Sequence, residues 1–428
     1  MTQRYDTYKD SGVQWLGEIP GHWECTSLGR VLYEKLQYGA SESGDSEYTN
    51  DSMRYIRITD ITLDGKLKKD CCKYLSSEIG KNYPVRKGDV LLARSGATVG
   101  KAFIYNEDNE ACYAGYLIKA SIQQDKVFPT FFFYFTQTSQ YDEWKNRIFI
   151  QATIQNISAE KYTRMKLCIP PLSEQRSIVS YLDAKCGKID EWVTKKQKEV
   201  EHLQELKQRV IADAVTRGLN PHVKMKATNI PWLKEIPEHW EMRKMKYLFD
   251  ERSEKNHPDE PMLSATQSEG VILQSKYQGR VVVVNTGFEG LKLVKVGDFV
   301  IHLRSFQGGI EYAHDRGIIS SAYTILNPKY PEYSAYYKRL FKSSSFIDLL
   351  KICVTGIREG QNINYSKLKQ FSIPVPPLSE QKQIVSYLDA KCSKIDKLIA
   401  NVTREIECIK EYKQRLISDV VTGQIKVC

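Results

Sequence analysis

A chain of 428 residues exceeds one ordinary hydrophobic core, so two or more globular units are expected. Hydrophobic residues at 41% and charged residues at 27% are the values of a folded globular protein and exclude extensive disorder. The formal net charge of +10 permits a polyanionic partner without requiring one.

The opening segment MTQRYDTYKDSG lacks the basic-then-apolar pattern of a secretion signal, and the longest apolar run, Phe131 to Phe135, is far too short to span a bilayer. A cytoplasmic protein with no membrane partner is expected. The first marked block is Trp15-Leu16-Gly17-Glu18-Ile19-Pro20-Gly21-His22-Trp23-Glu24, and it returns as Trp232-Leu233-Lys234-Glu235-Ile236-Pro237-Glu238-His239-Trp240-Glu241. Both histidines are read as structural.

Between the first block and residue 171 the sequence reads as mixed α/β. Alternation over Tyr55 to Ile61 predicts a half-buried strand, and Gly88-Asp89-Val90-Leu91-Leu92-Ala93 predicts a turn followed by a strand. Phe131 to Phe135 predicts a buried helix. Pro170-Pro171-Leu172-Ser173-Glu174-Gln175 then recurs as Pro376-Pro377-Leu378-Ser379-Glu380-Gln381, an offset of 206 (376 − 170). The match extends back to Gln155-Asn156-Ile157 against Gln361-Asn362-Ile363. A near-identical frame therefore holds two divergent inserts.

After each Pro-Pro the period becomes helical. Ile189, Trp192, Lys196, Val200, Leu203, Leu206, Val210 and Ala214 form one stripe, and Ile395, Leu398, Val402, Ile406, Ile409, Tyr412, Leu416 and Val420 form its twin. Ser173 and Ser379, with glutamine at or near the third helical position, predict helix caps. A helix from Glu174 to Val215 would be ~60 Å long, and its twin is the partner it wants, giving a rod that holds the inserts apart. The second insert carries the turn-strand Gly297-Asp298-Phe299-Val300-Ile301 and a buried aromatic helix at Tyr333 to Tyr337.

Local charge gives the surplus a place. Residues 24–171 hold 20 basic against 18 acidic groups and residues 241–377 hold 19 against 14, so much of the excess lies in the inserts. Arg, Lys, Asn and Gln suit base edges, while scattered cations meet phosphates. In the first insert the candidates are Arg94, Ser95 and Lys101 on a Gly-rich turn, Arg147 and Gln151 ahead of the helix, and the cluster Lys66, Lys68, Lys69 and Lys73. In the second they are Arg304, Ser305 and Gln307 on the corresponding turn, Arg358, and Lys276 with Arg280. For each Arg turn two readings stand: a close approach to DNA, or a structural turn with a solvated arginine. The repeated Gln-Asn-Ile belongs to the frame, because a shared residue cannot distinguish two different targets.

Catalytic signals fail one by one. No Asn/Asp-Pro-Pro-aromatic loop is present, since both Pro-Pro pairs precede leucine. Gly96 to Ala102 falls one residue short of a P-loop and lacks its hydroxyl. No metal-ligand spacing is found, and the ten cysteines are expected as free thiols.

The frame motifs, together with Leu416-Ile417-Ser418-Asp419-Val420-Val421-Thr422-Gly423, resemble those of type I restriction-modification specificity subunits over the whole chain. The resemblance implies target-recognition domains at 1–171 and 219–377, conserved helices at 172–218 and 378–428, and an α+β architecture with the helices paired as an antiparallel coiled coil. It further implies double-stranded DNA with a bipartite target as ligand, and two methyltransferase subunits as partners that carry S-adenosylmethionine and methylate adenine. Motor-nuclease subunits would complete a restriction enzyme, and this chain itself would be non-catalytic. The competing readings are a free-standing two-domain DNA-binding regulator and a coiled-coil scaffold that leaves the basic inserts unexplained.

Overall fold

The computed structural model describes residues 3–62, 67–68, 70, 72–96, 98–150, 155–279, 286–355 and 362–427. The chain divides into two compact units, one built from residues 1–196 with 404–428 and the other from 197–403. Each unit therefore takes one insert, the start of one long helix and the end of the other.

The two inserts fold alike despite their divergent sequences. In the first, a four-stranded antiparallel sheet runs in the order Gln37–Tyr38, Leu117–Ala120, Val90–Ala93, Ala102–Ile104. In the second the order is Phe249–Arg252, Thr324–Pro328, Phe299–Ile301, Glu311–Tyr312. A second layer repeats too. Strand Ser52–Ile56 pairs antiparallel with Lys73–Ser76 and parallel with Ala111–Tyr113. Its counterpart Leu263–Thr266 pairs antiparallel with Gly270–Leu273, and neighbouring Met262 forms a parallel bridge to Ile318. The predicted strand over Tyr55 to Ile61 stops early: Asp60 accepts from the Arg57 backbone N–H at 2.9 Å and from its guanidinium at 2.7 Å, which winds Ile58–Asp60 into a 3-10 turn.

Each insert enters and leaves through one antiparallel pair, Glu24–Ser27 with Lys166–Ile169 in the first unit and Glu241–Lys244 with Ser372–Val375 in the second. Cys25 stands opposite Cys168 in that register and the two are disulfide-bonded, with Cα atoms 4.2 Å apart. This corrects the expectation of free thiols throughout: residues 143 positions apart offer no local motif, and only strand pairing makes them neighbours. The matching positions of the second unit hold Met242 and Pro374. The aromatic runs are the buried helices expected, with Phe131, Phe132 and Phe135 on Pro129–Phe135 and Tyr336 and Tyr337 on Ser334–Leu340.

The central helix spans Leu172–Arg217 and the terminal helix Leu378–Val421. Ser173 and Ser379 do not cap them; both lie inside the first turn. The glutamine two residues on, Gln175 or Gln381, donates its buried amide to the carbonyl of Pro170 or Pro376, at 2.8 Å in each case, and so ties the helix start to the chain ahead of it. The helices pair antiparallel within each unit. Lys413 meets Asp190 at 2.6 Å in the first, and Lys207 meets Asp396 at 2.6 Å in the second.

The seam differs from the predicted stripe at four positions. Val193 is buried where Trp192 was expected, and Leu206, Leu398 and Tyr412 are exposed. The less exposed positions of the central helix follow Cys186, Ile189, Val193, Lys196, Val200, Leu203, Lys207 and Val210, and those of the terminal helix Cys392, Ile395, Ile399, Val402, Ile406, Ile409, Lys413 and Leu416. These steps alternate three and four without a break, which is the 3.5-residue repeat of a coiled coil. Choosing Leu206 and Tyr412 as the apolar residue at their steps hid Lys207 and Lys413, which join Lys196 in the seam. Among the described residues no helix is long and apolar enough to cross a membrane.

The repeated Trp of the frame joins insert to helices. In the first unit Trp23 is fully buried and its indole N–H donates to Glu174 at 3.1 Å, while His22 meets the same carboxylate at 2.8 Å. In the second, Trp240 donates to Glu380 at 2.9 Å and His239 reaches it at 2.8 Å. Each Trp also backs the left-handed glycine that ends the other helix: a Cβ on Gly218 (φ +75°) would lie 3.3 Å from Trp240, and one on Gly423 (φ +77°) 3.3 Å from Trp23. Trp240→Phe keeps most of the apolar contact but removes the N–H. It should cost about 1–3 kcal/mol, read as a lower denaturation midpoint of the second unit.

Candidate nucleic-acid interface

Arg94 directly follows the strand Val90–Ala93 of the first unit. Its guanidinium lies over the Tyr38 ring, 4.7 Å from the centroid, and the Tyr38 hydroxyl in turn accepts from the Ala159 N–H at 2.9 Å. The backbone of Arg94 donates to Tyr116 at 3.0 Å and accepts from Ile157 at 2.9 Å. Ser95 bridges to Asn156, so the repeated Asn-Ile of the frame supports this turn. Two buried hydroxyls hold its base: Tyr162 donates to the Ala93 carbonyl at 3.2 Å and Tyr141 to that of Gly100 at 2.8 Å. Burial pushes both phenols well above their ordinary range, so both remain neutral donors.

An aromatic and cationic patch results. Sequence reasoning missed its two tyrosines, Tyr38 at 40% and Tyr116 at 65% exposure. Their signal was available as isolated aromatics in polar loops, but many such residues are merely surface. Lys101 is half-buried at the end of the turn, where its carbonyl accepts from Ala93 at 2.8 Å.

The other first-unit candidates lie elsewhere. Lys68 donates to the Thr59 carbonyl at 2.8 Å and Lys73 to the Ser46 hydroxyl at 2.5 Å, bonds that leave their charges uncompensated by a carboxylate among the described residues. Arg147, on the helix Ser139–Ile150, is held by Glu143 at 2.7 Å and Gln14 at 2.8 Å, as a structural arginine would be. Lys66, Lys69, Gln151, Arg280 and Arg358 lie outside the described residues.

In the second unit the strand Phe299–Ile301 ends earlier relative to its arginine, and Arg304 stands exposed just before the helical turn Ser305–Gly308. No carboxylate pairs with it among the described residues. Gln307 is exposed beside it, whereas Ser305 is fully buried and its hydroxyl accepts from the His302 N–H at 2.9 Å. Lys276 is occupied by Asp315 at 2.9 Å, and this hydrogen bond lowers the Asp315 carboxyl below its ordinary value. Among the described residues no cluster of His, Cys, Asp and Glu could hold a metal ion.

The family model of the type I restriction modification DNA specificity domain matches residues 23–202 and again residues 233–408. The chain belongs to this family. It is a type I specificity subunit with two DNA-specificity domains, which favours that reading over a free-standing regulator. Among its relatives, the MjaX specificity subunit of a type I restriction enzyme of Methanocaldococcus jannaschii is 26% identical, with 96% of each chain covered. The MjaVIII specificity subunit of the same organism is 23% identical over 96% of this chain and 94% of its own. A solved chain from a study of complex assembly and conformational transition in the type I R-M system superposes with a TM-score of 0.66 at 16% identity, covering 94% of this chain and 98% of that one. The fold is therefore that of a solved relative.

The tyrosine support of the Arg94 turn is testable by denaturation. Tyr162→Phe removes one of two donors to the Ala93 carbonyl, which keeps the Gly100 N–H at 2.8 Å, and should cost about 0.5–1.5 kcal/mol, with Tyr141→Phe comparable. Equal midpoints for wild type and both variants would remove the hydroxyls from the account.

Proposed function

We propose that each insert, within the domains 1–171 and 219–377, reads one half of a bipartite duplex target, and that the paired helices fix the distance between the halves. The observation that carries this is the repetition: two inserts with one sheet order, each presenting an arginine turn after the equivalent strand. Arg94 and Arg304 meet DNA in this reading, with Gln307, Lys68 and Lys73 as further contacts. The chain itself is non-catalytic. Methylation of adenine belongs to two methyltransferase subunits that carry S-adenosylmethionine and dock on the helices, motor-nuclease subunits add restriction, and the assembly acts in the cytoplasm.

The apolar residues left outside the seam support docking. Leu206 lies next to Lys207, and Leu398 two residues beyond its partner Asp396, so two exposed apolar residues flank this ion pair in the second unit. Trp192, half-buried, and Tyr412, exposed, hold the same positions about the Lys413–Asp190 pair of the first. Two equivalent arrangements suit two copies of one partner.

Methylome sequencing with and without this gene returns the target and its spacer directly. Against that reference, Arg94→Ala and Arg304→Ala should each relax preference at one position of its own half-site, costing roughly 1–3 kcal/mol if the arginine grips a base. Equal weakening of specific and nonspecific binding would reassign the side chain to a phosphate, and unchanged binding would make the turn structural.

Helix length tests the spacing. One matching heptad inserted into both helices near Leu203 and Ile409 preserves the seam and adds ~10 Å. The methylated motif should gain ~3 base pairs of spacer at about 3.4 Å per pair, with both half-sites unchanged. An unaltered spacer would show that the helices do not set the distance.

A further inference from the structure

In the second unit the turn bearing Arg304 rests on a buried charge. Glu311, on the strand Glu311–Tyr312, has no exposed surface, and a carboxylate there is tolerated only if paired. Lys342 supplies the pair at 2.5 Å. Its ammonium also donates to the carbonyl of Gly308 at 2.9 Å and to that of Gln267 at 3.2 Å. Gly308 closes the helical turn that begins after Arg304, and the Gln267 side chain donates to the Arg304 carbonyl at 3.4 Å.

The other end of the turn is tied to the same carboxylate through His302. The Arg304 N–H donates to His302 Nδ1 at 3.2 Å, which leaves the ring proton on Nε2. That nitrogen lies 3.6 Å from Glu311, so its N–H dipole faces the carboxylate without forming a hydrogen bond. Arg304 is thus held on both sides by residues oriented on Glu311.

The sheet itself does not require a charge at this place. Glu311 pairs with Val300 as Phe103 pairs with Leu91 in the first unit, and Phe103 is packed in an apolar cluster. The first unit holds its arginine turn with the neutral hydroxyls of Tyr141 and Tyr162 instead. We infer that Glu311, acting through Lys342 and His302, is a positioning residue for Arg304 and so a determinant of specificity for the second half-site. The inference rests on the reading that Arg304 contacts duplex DNA.

The test uses the full chain co-expressed with its methyltransferase subunits, with adenine methylation scored at cognate and single-substitution sites across the genome. Arg304→Ala, Glu311→Gln, Glu311→Gln with Lys342→Met, and Glu311→Gln with Arg304→Ala are compared. The paired neutral variant removes both charges together and so avoids a buried unpaired lysine. Glu311→Gln and the paired variant should relax discrimination about ten-fold at the position affected by Arg304→Ala, leave the first half-site unchanged, and add nothing when combined with Arg304→Ala. Wild-type discrimination in both Glu311 variants while Arg304→Ala loses it would overturn the positioning role. So would uniform weakening across the second half-site, which marks a structural role. If Arg304→Ala itself changes nothing, the DNA reading of that turn fails first and the inference falls with it.

Discussion

A carboxylate at the start of each long helix, Glu174 or Glu380, receives the indole N–H of a buried tryptophan that also backs the glycine ending the other helix. Everything else in each unit is arranged around that contact. It fixes the strand following the tryptophan, that strand pairs with the one entering the helix, and the insert hangs from this pair. Its aromatic helix also packs on the long helices, with Tyr134 donating to Asp183 at 2.6 Å in the first unit and Tyr336 to the Val215 carbonyl at 2.6 Å in the second. The outer layer of each insert forms its own apolar cluster without residues of the long helices, so its sequence can change while the frame stays constant. This is the physical counterpart of near-identical frames around divergent inserts.

Much of this was legible in the sequence because the frame is written twice. Repetition located the helices, and their period gave the paired packing. What escaped was decided by tertiary neighbours. Cys25 and Cys168 become partners only when two strands separated by the entire insert pair. Trp192, Leu206, Leu398 and Tyr412 were placed in the seam because they are apolar, although a strict heptad puts Val193, Lys207, Ile399 and Lys413 there. The candidate DNA contacts were the least legible, since a surface arginine has the same sequence signature whether it lacks a carboxylate partner among the described residues, like Arg304, or is held by Glu143 and Gln14, like Arg147.

The lysines in the seam have a consequence for how the helices align. An apolar seam with a regular repeat can slide by one heptad at modest cost, because leucine or isoleucine fits the next hole almost as well. Lys207 opposite Asp396, and Lys413 opposite Asp190, remove that freedom: a slip would leave an ammonium among aliphatic side chains without its carboxylate. These pairs are partly exposed, so they add little net stability. Their effect lies in the difference between the correct register and its neighbours, which is the property a spacing device needs.

The two arginine turns show how one sheet can hold an arginine in two different ways. Arg94 begins where its strand ends and is stacked on Tyr38, which restricts its reach but presents guanidinium and ring together. Arg304 stands farther from its strand, exposed and without a stacking partner among the described residues, and its geometry depends on the backbone beneath it. A stacked arginine is ordered by its own side chain, whereas a free one must be ordered by its turn. The tyrosine support on one side and the buried glutamate on the other follow that difference: hydroxyls suffice to hold a turn whose arginine is already fixed, whereas a lysine ammonium at one end and an imidazole at the other hold the turn whose arginine is not.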